Sequence, residues 1–258
     1  MPRFKVLIEY EGTRYSGWQI QKNARTVQGE FHRAIAEGFQ TKKFELYGAG
    51  RTDAGVHAVA QVAHLDVITK LTPKLIQYAL NDHLPADVNV LKVEKAALDF
   101  HARHSAVARS YVYQISKRRT AFGKKYVWWI RDILDVNAMR AASELFVGKK
   151  DFASFTADDP EEKSTSVLIE RFEIVEADDL ILARIIGSHF LWKMVRQIVG
   201  ILAEVGRSKI SEADVQRMFT TPSNKPAEFT APPSGLFLER VYYAGDAFPN
   251  ELTPLFPV

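Results

Sequence analysis

A chain of 258 residues, 47% apolar and 25% charged, is long enough for one large domain or two ordinary ones and has the composition of a folded protein. Thirty-four basic residues against 31 acidic ones leave a net charge of only +3, so total charge says little about partners. The lack of cysteine excludes disulfides, thiolate catalysis and cysteine-based zinc sites, and it fits a reducing compartment.

The start, MPRFKVLIEY, has no apolar h-region and no stretch approaches a membrane span, so a cytoplasmic protein is expected. Phe4, Val6, Ile8 and Tyr10 alternate with Lys5 and Glu9, the period of a strand. A helix follows with Thr26 as its cap and Val27, Phe31, Ile35 and Phe39 at four-residue spacing. A short strand near Phe44–Tyr47, the strand VAQVAHLDV, a helix opened by Thr72-Pro73 and the strand VNVLKVEKA complete a β-α-β-β-α-β order. The second half repeats that order without a visible sequence repeat. A strand near 109–116 precedes a helix near 135–147, and LIERFEIVEA and LILARII are strands joined at Asp178-Asp179. A long helix near 190–205, a short one near 212–219 and the strand GLFLERVYY follow. The expected fold is α+β, with two ferredoxin-like (split βαβ) halves whose largely antiparallel sheets join around a central cleft. The halves are expected at 1–105 and 106–258.

From His101 to Arg131 the chain has eight Lys or Arg and no acid, interleaved with Tyr111, Tyr113, Phe122, Tyr126, Trp128 and Trp129. Such a mixture suits phosphates and stacked bases, or else a solvated face over ordinary core aromatics.

The stretch LYGAGRTDAGVHA (Leu46–Ala58) has almost nothing to bury and falls in a loop between two strands. It is not a dinucleotide fingerprint, because the third glycine slot holds Asp53, nor a P-loop, because Val56-His57 replace Lys-Ser/Thr. HARH (His101–His104) offers two histidines without a third ligand at a metal spacing, so no metal is expected. An Asp between Thr and Ala is ordinarily a turn residue. Gly48, Gly50 and Gly55 would let a bulky ligand approach, Arg51 adds a planar fork, and Thr52 could fix the loop by bonding its own backbone. With a reference pKa of about 3.9, such a carboxylate suits a nucleophile or base better than an acid.

YGAGRTDAGVHA resembles the signature of the TruA-type tRNA pseudouridine synthases. YEGTRYSGWQIQ with RTVQGE, LNDHLPADVNV, FHARHSAVARSYVYQI, DFASF, FLWKMVRQIVG and GLFLERVYY resemble further family motifs, in family order across residues 4–243. One departure is Trp192-Lys193, where the family often has Tyr followed by Asn or His. The resemblance implies an isomerase that needs no cofactor, converting uridine to pseudouridine at positions 38, 39 and 40 of the tRNA anticodon stem-loop, and acting as a homodimer. It implies Asp53 as the catalytic residue and Tyr111 as the ring against the target uracil. It also implies Arg196 as the cationic partner of Asp53, at the edge of the apolar arc of its helix. Arg51 would fill the space left by the flipped base or contact phosphate, and Leu236 would line the pocket or the core. Two other classes remain open on the residues alone: a non-catalytic RNA-binding module, and a small-molecule hydrolase with Asp66 or Asp87 as second acid.

Overall fold

The alternation in RFKVLIEY produces β1 (Arg3–Tyr10), which buries Phe4, Val6, Ile8 and Tyr10 and leaves the residues between them half exposed. The computed structural model describes residues 1–158 and 164–257. It divides into two units, Met1–Val107 with Phe237–Ala247 and Ala108–Leu236 with Phe248–Val258.

In the first unit, α1 (Val27–Gly38) starts where Thr26 Oγ1 accepts the Gly29 amide at 3.2 Å, a cap contributing about 1 kcal/mol. Its face of Val27, Phe31 and Ile35 is fully buried. Then come β2 (Phe44–Gly48), β3 (His57–Val67), α2 (Pro73–His83), capped by Thr72, and β4 (Val88–Ala96). β1 pairs antiparallel with both β3 and β4, and β2 antiparallel with β3, giving the order β4-β1-β3-β2. That is the split βαβ pairing. The helices pack on each other, and α2 lies against β4.

The second unit holds β5 (Ala106–Ser116), β6 (Trp128–Trp129), α3 (Val136–Glu144), β7 (Gly148–Asp151), β8 (Ser166–Ala177) and β9 (Leu180–Gly187). It continues with α4 (Met194–Gly206), α5 (Glu212–Thr220) and α6 (Lys225–Glu228). Its strands run antiparallel in the order β5-β9-β8-β7, and β6 adds in parallel to the end of β5. Phe146, Phe152, Phe155 and Phe219 form an aromatic cluster with ring centroids 5.2–6.1 Å apart, edge-to-face except for the tilted Phe155–Phe219 pair.

The run LILARII does not alternate because β9 is covered along its whole length. The segment after residue 247 straps this unit. Arg184, fully buried in β9, donates to Glu251 O at 2.6 Å and pairs with Glu173 at 2.8 Å. Gln114 Oε1 accepts the Leu255 amide at 2.8 Å, and Leu252 packs on Val127, Leu180 and Leu182. β10 (Leu236–Tyr243) begins in the second unit, and its Phe237 and Leu238 pair in parallel with His57 and Ala58 of β3.

Inside β3, His64 is 1% exposed, stacks on Tyr47 and meets His101 edge-on at 4.6 Å. Its Nδ1 accepts the Ala102 amide at 3.1 Å. Burial first, then the Arg3 and His101 charges, push its pKa down to about 4, against a smaller upward pull from Asp66. A histidine that binds its proton more weakly when folded costs stability as it titrates. The His64 contribution to stability is therefore fully present above about pH 6.5, and on the order of 2–3 kcal/mol of it is lost as pH falls from 6.5 to 4. Urea unfolding across that range should show this slope, and His64→Gln should flatten it; an unchanged slope would contradict the assignment.

Candidate active site

The loop between β2 and β3 is held from several sides. The Ala49 amide donates to Val62 O at 2.7 Å, and Gln61 Nε2 donates to Gly50 O at 3.0 Å. Thr52 does not bond its own backbone as expected. Its hydroxyl is buried against the Tyr10 hydroxyl at 2.7 Å, while its carbonyl accepts the Trp18 amide at 3.1 Å. Beyond it, the Val56 amide donates to Asp53 O and the Gly55 amide to Tyr15 O, each at 3.2 Å. Asp53 itself is half-buried and Arg51 exposed.

Residues 10–18 thus form a cradle under this loop. Trp18 is buried between Tyr10 and Phe31, and Gly48 abuts its indole, so that glycine serves packing rather than ligand approach. The Gly12 amide donates to His57 Nδ1 at 3.0 Å, and the His57 ring stacks on Phe237 at 4.8 Å.

Tyr15, whose carbonyl holds Gly55, is itself anchored: its hydroxyl donates to Asp87 Oδ1 and accepts from Arg25 Nη2 at 3.1 Å. Burial, and next the Asp87 carboxylate, push the Tyr15 pKa up, so the phenol stays protonated. Asp66 is engaged in two bonds to Arg3, at 2.6 and 2.7 Å. Both candidate second acids therefore have structural tasks, which removes the basis for a two-carboxylate hydrolase.

In the second unit, Tyr111 lies opposite Ile185 in the middle of β5, 8% exposed, its ring edge-on to Phe190 at 5.0 Å. Two residues on, Tyr113 is wholly buried and its hydroxyl donates to Pro232 O at 2.7 Å. α4 starts at Met194, four residues later than its apolar spacing predicts. Lys193 adopts a left-handed conformation (φ 61°), and the Trp192 carbonyl accepts the Ala157 amide at 3.0 Å instead of entering a helix. Trp192 is half exposed, with the Lys193 ammonium 4.9 Å over its ring.

Arg196, in the first turn of α4, is half-buried. Its Nε donates to Ala231 O at 2.7 Å, and the Ala231 amide donates back to Arg196 O at 3.0 Å. The stretch 231–236 therefore ties α4 to β5 and ends at Leu236, which is buried. Of the five expected residues, Asp53 and Arg51 belong to the first unit and Tyr111, Arg196 and Leu236 to the second.

A family model described as tRNA pseudouridine synthase matches residues 6–105 and 142–244. The chain belongs to that family. It is 39% identical over 248 residues to tRNA pseudouridine synthase A of Sinorhizobium medicae (strain WSM419), covering 94% of this chain and 100% of that one. To the protein of the same name from Geobacillus kaustophilus (strain HTA426) it is 38% identical over 252 residues, 97% and 98% of the two chains. The corresponding figure for Rhodopseudomonas palustris (strain BisA53) is 40% over 246 residues, 94% and 100% of the two chains. Asp53, Arg51, Arg196 and Leu236 lie within the matched residues; Tyr111 lies between the two matched segments. The residues missed from sequence are those of the cradle, Tyr10, Gly12, Tyr15, Gly17 and Trp18, together with the anchoring role of Asp87, which the sequence offered only as a second acid. Their motifs, YEGTRYSGW and LPADV, were visible, but a structural task appears only once they contact residues some forty or seventy positions away.

Proposed function

We propose that Asp53 is the carboxylate through which this tRNA pseudouridine synthase converts uridine to pseudouridine. The supporting observation is the half-buried position of Asp53 in a loop whose neighbouring residues Thr52 and Gly55 are both fixed by the 10–18 cradle. Preorganisation of this kind is what holds a reacting group in place. The reaction breaks the bond from ribose to the uracil nitrogen, turns the base, and joins the same ribose carbon to a ring carbon. A proton leaves that ring carbon and the freed nitrogen gains one, so nothing is oxidised or reduced.

The target nucleoside must leave its stack, at a cost of a few kcal/mol. Tyr111, its ring set against Phe190, receives the base and can return about 1–3 kcal/mol by stacking. Arg196, with one edge of its guanidinium anchored on Ala231, is the cation assigned to Asp53. Arg51 fills the gap left by the base, and Leu236 lines the apolar side. We further assign the substrate uridines to positions 38, 39 and 40 of the anticodon stem-loop, the working form to a homodimer, and its location to the cytoplasm. Among the described residues no helix is long and apolar enough to cross a membrane, and no group of three or more His, Asp or Glu could hold a metal ion.

Incubating the protein with unmodified tRNA, then mapping pseudouridine by nucleoside-specific sequencing, should reveal it at one or more of positions 38–40. Pseudouridine only elsewhere would contradict the positional assignment. Bound but unmodified tRNA would restore the non-catalytic reading, which family membership does not favour.

A further inference from the structure

In the connection from β5 to β6, KRRTAFGKKYV (residues 117–127), only Val127, packed under Leu252, serves any of the tasks above. At its tip the Phe122 ring is 90% exposed, and Lys117, Arg118, Arg119, Lys124 and Lys125 around it are exposed too. A single exposed phenylalanine needs no explanation. Here, however, the ring is displayed by an ordered turn and bracketed by cations on both sides. Thr120 donates its hydroxyl to Phe122 O, Gly123 has a positive φ of 72°, and the Tyr126 amide closes on Gly123 O at 2.8 Å. The Tyr126 ring is stacked on Phe256 at 4.5 Å. The root is fixed by ion pairs to the β8–β9 hairpin, Lys117 to Glu176 at 3.2 Å and Arg118 to Asp179 at 2.6 Å. Phe122, Lys124 and Lys125 stand beyond them, in a 101–131 stretch that contains no acid.

A flat apolar ring beside two ammonium groups matches the chemistry of an unpaired nucleotide, whose base stacks while its phosphates are neutralised. We propose that the 117–127 loop is a second RNA contact, in which Phe122 stacks on an unpaired base of the tRNA and Lys124 and Lys125 meet the adjoining phosphates. This rests on tRNA as the substrate and on Tyr111 as the residue facing the reacting uracil. The two contacts are distinct: five residues of strand, about 16 Å, run from Tyr111 to the end of β5 before the loop begins. The base on Phe122 is therefore not the one being isomerised. A second copy of the chain is the weaker occupant, since a two-fold contact would face these cations against their own copies.

The test is tRNA affinity measured across a salt series for wild type, Phe122→Ala, Phe122→Tyr and the double variant Lys124→Ala/Lys125→Ala, each made also with Asp53→Asn. Phe122→Ala should raise Kd on the order of 10-fold and Phe122→Tyr should leave it near wild type. The lysine variant should lower the slope of log Kd against log salt by about 1.4–1.8. Turnover at saturating tRNA should stay within about twofold, because the contact is remote from the chemistry. Unchanged Kd and slope would overturn the proposal. So would unchanged affinity with an altered sedimentation coefficient, which would make the loop a protein–protein surface. Because affinity is read in both backgrounds, surviving turnover in Asp53→Asn would defeat the catalytic assignment while leaving the loop contact standing.

Discussion

Replacing Gly17 by alanine should lower kcat about 100-fold or more while leaving tRNA affinity within a few fold. Two effects combine at this position. Gly17 has φ of +90°, where an L side chain is strained. In addition, an alanine Cβ would fall inside van der Waals contact of Thr52 O, with the carbonyl carbon of Asp53 at 3.1 Å and the Ala54 nitrogen at 3.3 Å. All three neighbours are backbone, so no flexible side chain can swing away. The loop must shift relative to the cradle, and the adjacent bond from the Trp18 amide to Thr52 O must lengthen with it. A displacement of about 1 Å at a reacting group can cost on the order of 100-fold in rate.

Gly245→Ala separates the two effects. Gly245 shares the φ of +90°, but its Cβ would meet nothing within 4 Å. It should therefore show the strain as a modest loss of thermal stability, with kcat unchanged. Equal losses of kcat in the two variants, or none in Gly17→Ala, would contradict the cradle.

Much of the fold was legible because local chemistry and tertiary structure agree. The alternation of Phe4, Val6, Ile8 and Tyr10 became β1, and Thr26 with Val27, Phe31 and Ile35 became a capped helix on its apolar face. The reading failed where a distant partner decides. The turn at Lys193 depends on Ala157 bonding to Trp192, which no helical periodicity reports. The apolar run of β9 reflects a strap that arrives some sixty-five residues later, at Pro249 and Glu251. β6 and β7 are too short to carry a pattern.

The candidate site divides the same way. Asp53 stood out because glycines, Arg and Thr surround it in a recognisable motif. That Thr52 is held by Tyr10, and Gly55 by a tyrosine anchored to Asp87, was not legible, because those bonds join residues far apart in the chain.

Asp53→Asn carries the largest expected effect. The amide is close to isosteric with the carboxylate, and the substitution keeps the loop bonds made by Ala49, Gly50, Thr52, Gly55 and the backbone carbonyl of Asp53. Fold and tRNA affinity should therefore survive. An amide is neither a base at neutral pH nor a competent nucleophile. A lost general base costs about 100- to 10,000-fold, and a lost nucleophile can cost on the order of a million-fold. The decisive measurement is the amount of pseudouridine formed in tRNA in one turnover, with wild-type protein or Asp53→Asn in excess. Full conversion by wild type, with none detectable from a folded, tRNA-binding Asp53→Asn, is the predicted result. A rate for Asp53→Asn within about tenfold of wild type would contradict the assignment of the reaction to this carboxylate.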